Sequence, residues 1–294
     1  MERLKGSIVP LVTPYEEDGN LDIKTFKKLI EWQIKQGSHG ISVAGSTGEM
    51  TLLTKEEKLK LFEVAVQEVG GKVPVVASTG SSMLNETMDL SKKAEKLGCD
   101  ALLIAVPYYS RPNQEGIYEY FKTIAENVSL PIIIYNIPSR SGTNIEPKTL
   151  KKLKDKYKNI VGVKEANTNF DQVSKDILEC GEDFLVYSGI ESLCYPLLAI
   201  GGAGYFSATA NLLPNELARL YELTRANMWE EARKLHYKLL PINEVLFIDT
   251  NPIPLKTAMA ILGMIKPVFR PPLTMLSEEK KAKLLEVMKL YFKI

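Results

Sequence analysis

One lysine of this sequence stands where an amine can do carbonyl chemistry. The stretch 159–166 reads Asn-Ile-Val-Gly-Val-Lys-Glu-Ala, and its β-branched run predicts a short strand, buried on both faces, that ends on Lys164. Apolar neighbours disfavour the ammonium form, so some neutral amine is expected near neutral pH. A neutral amine attacks a carbonyl and forms a Schiff base. The alternative is that Lys164 merely extends its charge to water.

Polar groups follow other predicted strands in the same way. Tyr135 ends the strand before that of Lys164, so it is the natural acid–base partner of the lysine. Ser46 or Thr47, together with backbone N–H groups, can hold a carboxylate, and Arg140 can form a forked pair with a second one. This set of side chains suits carbonyl chemistry on a carboxylate substrate.

Each of these motifs also has a purely structural reading. The glycines of the 45–49 stretch, Gly-Ser-Thr-Gly-Glu, can simply make a tight turn. The tyrosine pair 108–109 can be rim aromatics, and Arg140 can pair with Glu146 on the surface. The glycine-rich stretch 201–204 precedes a predicted strand and opens no helix, which excludes a phosphate-binding loop. The co-occurrence of the polar groups at matching strand ends favours a site.

The elements that must position these groups alternate along the chain. The strands are predicted at Ile8–Thr13, Gly40–Val43, Val73–Ser78, Ala101–Ala105, Ile132–Tyr135, Ile160–Lys164, Phe184–Ser188 and Tyr205–Ser207. Amphipathic helical stretches lie between them, among them Ile23–Gln36, Lys55–Glu68, Glu86–Leu97, Gly116–Asn127 and Pro147–Lys156. Thr54 with Glu57 predicts a capping box, and Gly98 a helix end.

This order predicts an α/β fold, a (β/α)8 TIM barrel with a helical C-terminal extension. Residues 1–213 would form the barrel core, and residues 214–294 the last barrel helix and the extension. The helical stretches of this last part are Pro214–Ala226, Trp229–Phe247, Pro252–Leu262 and Ser277–Tyr291, and Pro241 is expected to interrupt the second of them.

The amino-acid composition argues against several classes of partner and of catalytic site. The 294 residues carry 37 basic and 36 acidic side chains, a net charge of +1, which favours neither nucleic acid nor an anionic membrane as a partner. Three unpaired cysteines are expected to be reduced thiols, and two distant histidines argue against a zinc site and against a Ser-His-Asp triad. The N-terminal segment resembles neither a signal peptide nor a membrane span, so a cytoplasmic location is expected.

The collinear motifs resemble one family. They read GSTGE (45–49), PYYSRPNQEG (107–116), YNIPSRSG (135–142), VGVKEA (161–166) and NPIPLKTA (251–258). With them the chain resembles the dihydrodipicolinate synthase / N-acetylneuraminate lyase family of class I, Schiff-base-forming aldolases. The resemblance implies a homotetramer, a dimer of dimers, that acts without a metal or organic cofactor.

The resemblance also implies a role for each site residue. Lys164 would form the Schiff base, and Tyr135, Thr47 and Tyr109 would relay protons, with Tyr109 reaching into a neighbouring subunit's site. Pyruvate's carboxylate would lie against Ser46 and Thr47, in a pocket that Gly189 and Phe206 also line.

The resemblance leaves the acceptor aldehyde open. Arg140 stands where the family's synthases bind the carboxylate of aspartate semialdehyde, so condensation of pyruvate with that aldehyde is the first expectation. Ser46, the pair Ile190 and Glu191, and the pair Tyr205 and Phe206 depart from the usual synthase pattern. A 2-keto-3-deoxy acid aldolase is therefore the alternative enzyme. A non-catalytic barrel that binds a keto acid or an amino acid is the alternative from another class.

Many synthases of the family are inhibited by lysine in a cleft at a dimer interface. The corresponding positions here are Met50, Lys55, Lys58, Ser82, Glu86 and Tyr108. Lys55 and Lys58 replace histidines of the lysine-sensitive enzymes and would repel a cationic ligand. We therefore expect this chain to be insensitive to lysine.

Overall fold

The computed structural model describes residues 1–294 and shows a closed barrel of eight parallel strands, each hydrogen-bonded to its neighbours in chain order. The predicted fold class is confirmed. The strands are β1 Gly6–Pro10, β2 Gly40–Val43, β3 Val75–Ser78, β4 Ala101–Ala105, β5 Ile132–Asn136, β6 Ile160–Glu165, β7 Leu185–Ser188 and β8 Gly204–Phe206.

Helices follow the strands and surround the barrel. The barrel part contains α1 Ile23–Lys35, α2 Lys55–Val69, α3 Leu84–Leu97, α4 Gln114–Ala125, α5 Pro138–Ser141, α6 Pro147–Lys156, α7 Phe170–Cys180 and α8 Cys194–Ala199. The C-terminal part contains α9 Pro214–Arg225, α10 Trp229–Val245, α11 Ile253–Ile261 and α12 Glu278–Met288. Helix α9 packs against β1, and α12 packs against both α10 and α11. No helix of the structure combines the length and the apolarity that a membrane span requires.

Apolar residues fill both the inside and the outside of the barrel. One buried cluster lies within it and includes Ile8, Val76, Leu103, Ile133 and Tyr187. A larger cluster joins the outward-facing strand residues to the surrounding helices. A barrel filled in this way is a rigid core, and it leaves the carboxyl ends of the strands free to carry a site.

Several local predictions are confirmed. The Thr54 side chain and the Glu57 side chain form the reciprocal bonds of a capping box at the start of α2. Gly98 ends α3 in the left-handed conformation, with φ of 89°. All three cysteines are free and buried.

The predicted bounds of the first strand are wrong. The strand begins at Gly6, because Gly6 and Ser7 already pair with β8. It ends at Pro10, after which the backbone N–H of Val12 donates to the Asn211 side chain and the hydroxyl of Thr13 donates to the Gly48 carbonyl. Neither group bonds to a neighbouring strand. The other seven strands differ from their predicted bounds by at most two residues.

The expected break at Pro241 is also wrong. Helix α10 continues through this proline from Trp229 to Val245. Proline removes one backbone hydrogen bond of the helix. The flanking residues Leu239 and Ile242 are fully buried, however, and their packing against the rest of the molecule keeps both halves in one helix.

Candidate active site

Lys164 lies inside the mouth of the barrel, next to the ring of Tyr135. Strands β5 and β6 pair so that Tyr135 stands opposite Lys164. The lysine is 5% exposed, and its Nζ lies 4.0 Å from the centroid of the Tyr135 ring and 5.1 Å from that of Phe206. No carboxylate lies within ion-pair distance of this Nζ. The amine is therefore held among aromatic rings rather than by a countercharge.

Gly189, just after β7, lets the lysine side chain lie flat against the backbone. A Cβ atom at this position would stand 2.8 Å from Cε of Lys164 and 3.0 Å from Cβ of Ala166. The first distance is shorter than Cβ atoms show in folded proteins, and the second would require Ala166 to shift. The N–H of Gly189 donates to the carbonyl of Glu165 at 2.6 Å, which ties this turn to β6. The absence of a side chain here thus sets the path of Lys164.

The loop after β2 brings two hydroxyls to the same space. Thr47 is 4% exposed and its Oγ1 accepts a hydrogen bond, 3.0 Å long, from Nδ2 of Asn251. Ser46 beside it is half-buried. The alternative that the glycines here only make a turn is incomplete, because this turn presents both hydroxyls to the cavity that contains Lys164.

Arg140 lies on the short helix α5, immediately after β5. Its Nη2 donates to the backbone carbonyl of Asn251 at 2.8 Å. The alternative pairing with Glu146 is not formed, since no ion pair of the structure includes Arg140. The guanidinium borders the cavity while the residue as a whole stays exposed, so its remaining donors face space that a ligand can enter.

Tyr109 is the one predicted site residue that the structure does not bring to the cavity. It is 94% exposed and has φ of 71°, a left-handed conformation that is uncommon for an aromatic residue. Its N–H donates to the carbonyl of Ser141 at 3.3 Å. Within one chain the tyrosine does not line the cavity of Lys164, and its expected role in a neighbouring subunit stays a prediction.

The other predicted residues line a single cavity of ≈ 630 Å³. They are Ser46, Thr47, Tyr135, Arg140, Lys164, Gly189 and Phe206. Glu191 lies in the same wall and is buried, and its Oε1 accepts a 2.7 Å hydrogen bond from the N–H of Ala208. Burial raises the pKa of Glu191, an effect that this hydrogen bond and the nearby charge of Lys164 oppose.

The sequence did not identify two residues that support this site. Asn251 links Thr47 to Arg140. The buried Lys256 forms an ion pair with Glu49, which lies in the same loop as Thr47, with 2.7 Å between Nζ and Oε1. Asn251 and Lys256 both lie in the motif NPIPLKTA (251–258), to which the sequence assigned no role. A further signal was the composition of α11, Ile-Pro-Leu-Lys-Thr-Ala-Met-Ala-Ile, in which a single charge stands among apolar residues. Such a lysine requires a buried partner.

The fold and the site define a class of protein: a (β/α)8 barrel with a buried lysine at the end of its sixth strand, in a cavity of small-molecule size. The model of the dihydrodipicolinate synthetase family matches residues 3–290. The 4-hydroxy-tetrahydrodipicolinate synthase of Thermodesulfovibrio yellowstonii is 47% identical over 97% of each chain. The chain therefore belongs to the dihydrodipicolinate synthetase family, and it is an enzyme of the synthase type, a lyase, as the sequence predicted.

Solved structures agree with this assignment. The dihydrodipicolinate synthase of Aquifex aeolicus is 43% identical, superposes with a TM-score of 0.96 and is matched over 98% of each chain. A second structure, of the first monomeric dihydrodipicolinate synthase variant, is 35% identical with a TM-score of 0.95, over 98% of this chain and 97% of that one. The family resemblance inferred from the motifs is confirmed over nearly the whole chain.

Proposed function

We propose that this chain condenses pyruvate with aspartate semialdehyde through an imine on Lys164, the 4-hydroxy-tetrahydrodipicolinate synthase reaction. The observation that carries the proposal is the position of the Lys164 amine, buried beside the Tyr135 ring in a cavity that Arg140 also borders. A buried amine in this position is placed to attack a carbonyl carbon that enters the cavity.

The first half-reaction uses pyruvate alone. The Lys164 amine attacks C2 of pyruvate, and the resulting carbinolamine loses water to give the imine. Loss of a proton from C3 then gives the enamine. The phenol of Tyr135 and the hydroxyl of Thr47, together with Tyr109 of a neighbouring subunit, carry the protons in these steps. Ser46 and Thr47 hold the pyruvate carboxylate, and Gly189 and Phe206 shape the space around its carbon atoms.

The second half-reaction joins the acceptor. C3 of the enamine attacks the aldehyde carbon, which forms the new carbon–carbon bond and regenerates the imine. The amino group of the acceptor then displaces Lys164 from that imine and closes the ring. Arg140 forms a forked pair with the carboxylate of the acceptor, because a planar guanidinium matches a carboxylate with two parallel hydrogen bonds.

This chemistry needs no metal and no organic cofactor, since the protonated imine itself accepts the electrons that leave C3. We propose that the enzyme is cytoplasmic and binds only small molecules, not nucleic acid or a membrane. Residues 1–213 act as the catalytic barrel, and residues 214–294 cover and support it.

The active assembly is a homotetramer built from two dimers. The 94% exposed Tyr109 supports it, because its left-handed backbone is a strained conformation of the kind that clusters at functional sites and contacts. Measurement of the molar mass in solution, for the native chain and for Tyr109→Phe, tests this assembly. A monomer with full activity would exclude any role of Tyr109 in a neighbouring site.

The acceptor is tested by comparing kcat/KM for aspartate semialdehyde with that for a panel of sugar-derived aldehydes, with pyruvate as the donor throughout. We expect aspartate semialdehyde to be preferred. A preference for uncharged sugar aldehydes would instead assign the chain as a 2-keto-3-deoxy acid aldolase. If the chain turns over no aldehyde and forms no imine with pyruvate, it would instead be assigned as a non-catalytic barrel that binds a keto acid or an amino acid.

A further inference from the structure

The loop that carries Ser46 and Thr47 has two strained backbone positions, although the N–H of Glu49 donates to Ser46 and that of Met50 to Gly45 within it. Ala44 before it and Glu49 at its end are both in the left-handed region, with φ of 54° and 63°, although neither is glycine. Left-handed conformations of such residues persist only where the surroundings enforce them. Both residues are almost fully buried. Contacts from the segments that pack over the loop therefore add to its own hydrogen bonds in holding it.

One such contact is the ion pair of Glu49 with Lys256 of α11. The two side chains are 0% and 1% exposed, and Nζ also lies 4.3 Å from the centroid of the Tyr15 ring. Burial raises the pKa of Glu49 and lowers that of Lys256, and the attraction between the two charges opposes both shifts. Replacement of a buried ion pair by apolar residues of similar volume is often neutral or even stabilising. The effect of this ion pair is instead on geometry, because it fixes Glu49 at the end of the loop.

The second contact is made by Asn251, two residues before α11. Its Nδ2 donates to Oγ1 of Thr47, while its backbone carbonyl accepts from Nη2 of Arg140. Asn251 is 9% exposed, and its Oδ1 has no hydrogen-bond partner. The amide occupies the acceptor side of the Thr47 oxygen. The structure shows no protein acceptor for the Thr47 hydroxyl, so its hydrogen is free to donate to a substrate or a proton-relay partner in the cavity.

We infer that Asn251 is a positioning residue that orients the Thr47 hydroxyl for the pyruvate half-reaction, and that Lys256 is a second anchor which holds the same loop through Glu49. The inference rests on the function proposed above. It assigns a role to the C-terminal part of the chain, because Asn251, just before α11, and Lys256, within α11, both hold a loop that belongs to the barrel.

The test uses the full-length enzyme and pyruvate alone, with borohydride trapping of the imine followed over time by mass spectrometry. We expect Asn251→Ala to slow imine formation about ten- to a hundredfold, a loss typical of a misplaced catalytic group. Asn251→Asp should be slowed as well, because a carboxylate cannot donate to Oγ1. The Arg140 contact uses the Asn251 backbone, so the KM for the acceptor should change much less than the imine rate does.

A double-mutant cycle separates positioning from general damage. If Asn251 acts through Thr47, Asn251→Ala should slow imine formation in the native chain but add little in a Thr47→Val background. Asn159→Ala is the matched control. The Asn159 amide donates to the carbonyls of Ala125 and Val128, at the opposite end of the barrel, so its loss should lower the melting temperature without changing the imine rate.

The second anchor is tested with Glu49→Gln/Lys256→Met, which removes both charges and leaves no buried ion unpaired. We expect a raised KM for pyruvate with the fold retained. If the native enzyme forms the imine and Asn251→Ala forms it at the same rate, the inference is wrong. The same holds if the effects of Thr47→Val and Asn251→Ala are fully additive. If the native enzyme forms no imine, it is the proposed function that fails.

Discussion

Glu165 and Asp176 are two buried carboxyl groups that face each other across the space between β6 and α7. The side-chain amide of Asn136 donates to both oxygens of Glu165, whereas the oxygens of Asp176 have no donor among the neighbouring groups. Burial raises the pKa of Asp176 to about 7, and it raises that of Glu165 well above the ordinary value, an effect to which the charge of Asp176 adds. The pair therefore retains a proton up to about pH 7 in the folded enzyme.

This retained proton makes stability depend on pH. Between about pH 4 and pH 7 the folded state binds a proton that the unfolded state has released, so the free energy of unfolding falls as the pH rises through this range. Asp176→Asn should make the dependence weaker and should be more stable than the native chain at pH 8. Urea midpoints at several pH values measure this. Asp171→Asn, an exposed change on the same helix, is the control, and an unchanged slope in Asp176→Asn would contradict the assignment.

Arg140 should matter for the acceptor and not for pyruvate. Removal of a charged partner from a desolvated carboxylate costs about 2–5 kcal/mol, so Arg140→Ala should lower kcat/KM for aspartate semialdehyde by the corresponding factor. The rate of imine formation with pyruvate should be much less affected. Arg111→Ala is the matched control, because Arg111 bonds to the carbonyl of Gly142 and does not line the cavity. Equal losses in both half-reactions would argue against a carboxylate at Arg140.

Gly189→Ala should disable the lysine without disturbing the fold. The new methyl group would stand 2.8 Å from Cε of Lys164, and the long side chain would have to leave its present path. A shift of the reacting atom by about 1 Å typically lowers the rate about 100-fold. Imine trapping and circular dichroism should show a folded protein that reacts slowly with pyruvate. Native rates in Gly189→Ala would mean that Lys164 reacts from another position.

Free lysine should not regulate this enzyme. Lys58 is nearly buried, and its Nζ lies 3.9 Å from Oε1 of Glu86, the carboxylate expected to grip an amino-acid ligand. Lys55 forms an ion pair with Asp89. A cationic ligand would meet these ammonium groups at a cost on the order of 1 kcal/mol each. Millimolar lysine should therefore change neither the initial rate nor the melting temperature. Inhibition that disappears in Glu86→Ala would refute this charge argument.

Patterns within single elements predicted most of the barrel and the centre of its site. The strands that carry Lys164 and Tyr135 near their carboxyl ends are short, apolar and consecutive. In a parallel barrel consecutive strands are neighbours, so their ends had to meet. The same local reasoning failed at Pro241, where tertiary packing outweighs the helix-breaking tendency of one residue.

The support of the site could not be predicted, because it depends on contacts between distant parts of the chain. Asn251 and Thr47 are 204 residues apart, and Lys256 and Glu49 are 207 residues apart. No periodicity reports where a C-terminal helix returns to the barrel. Asp176 could not be predicted for a related reason. Its partner Glu165 faces outward from β6, whereas the preceding residue, Lys164, faces inward.

The central claim is that Lys164 forms an imine with pyruvate, and covalent trapping tests it most directly. The enzyme is incubated with pyruvate and borohydride and digested, and the masses of its peptides are then measured by mass spectrometry. We predict a mass increase on the peptide that contains Lys164, none in Lys164→Met, and slower labelling in Tyr135→Phe, by a factor of about 10²–10⁴. Labelling of a different lysine, or no labelling of the native enzyme, would contradict the mechanism.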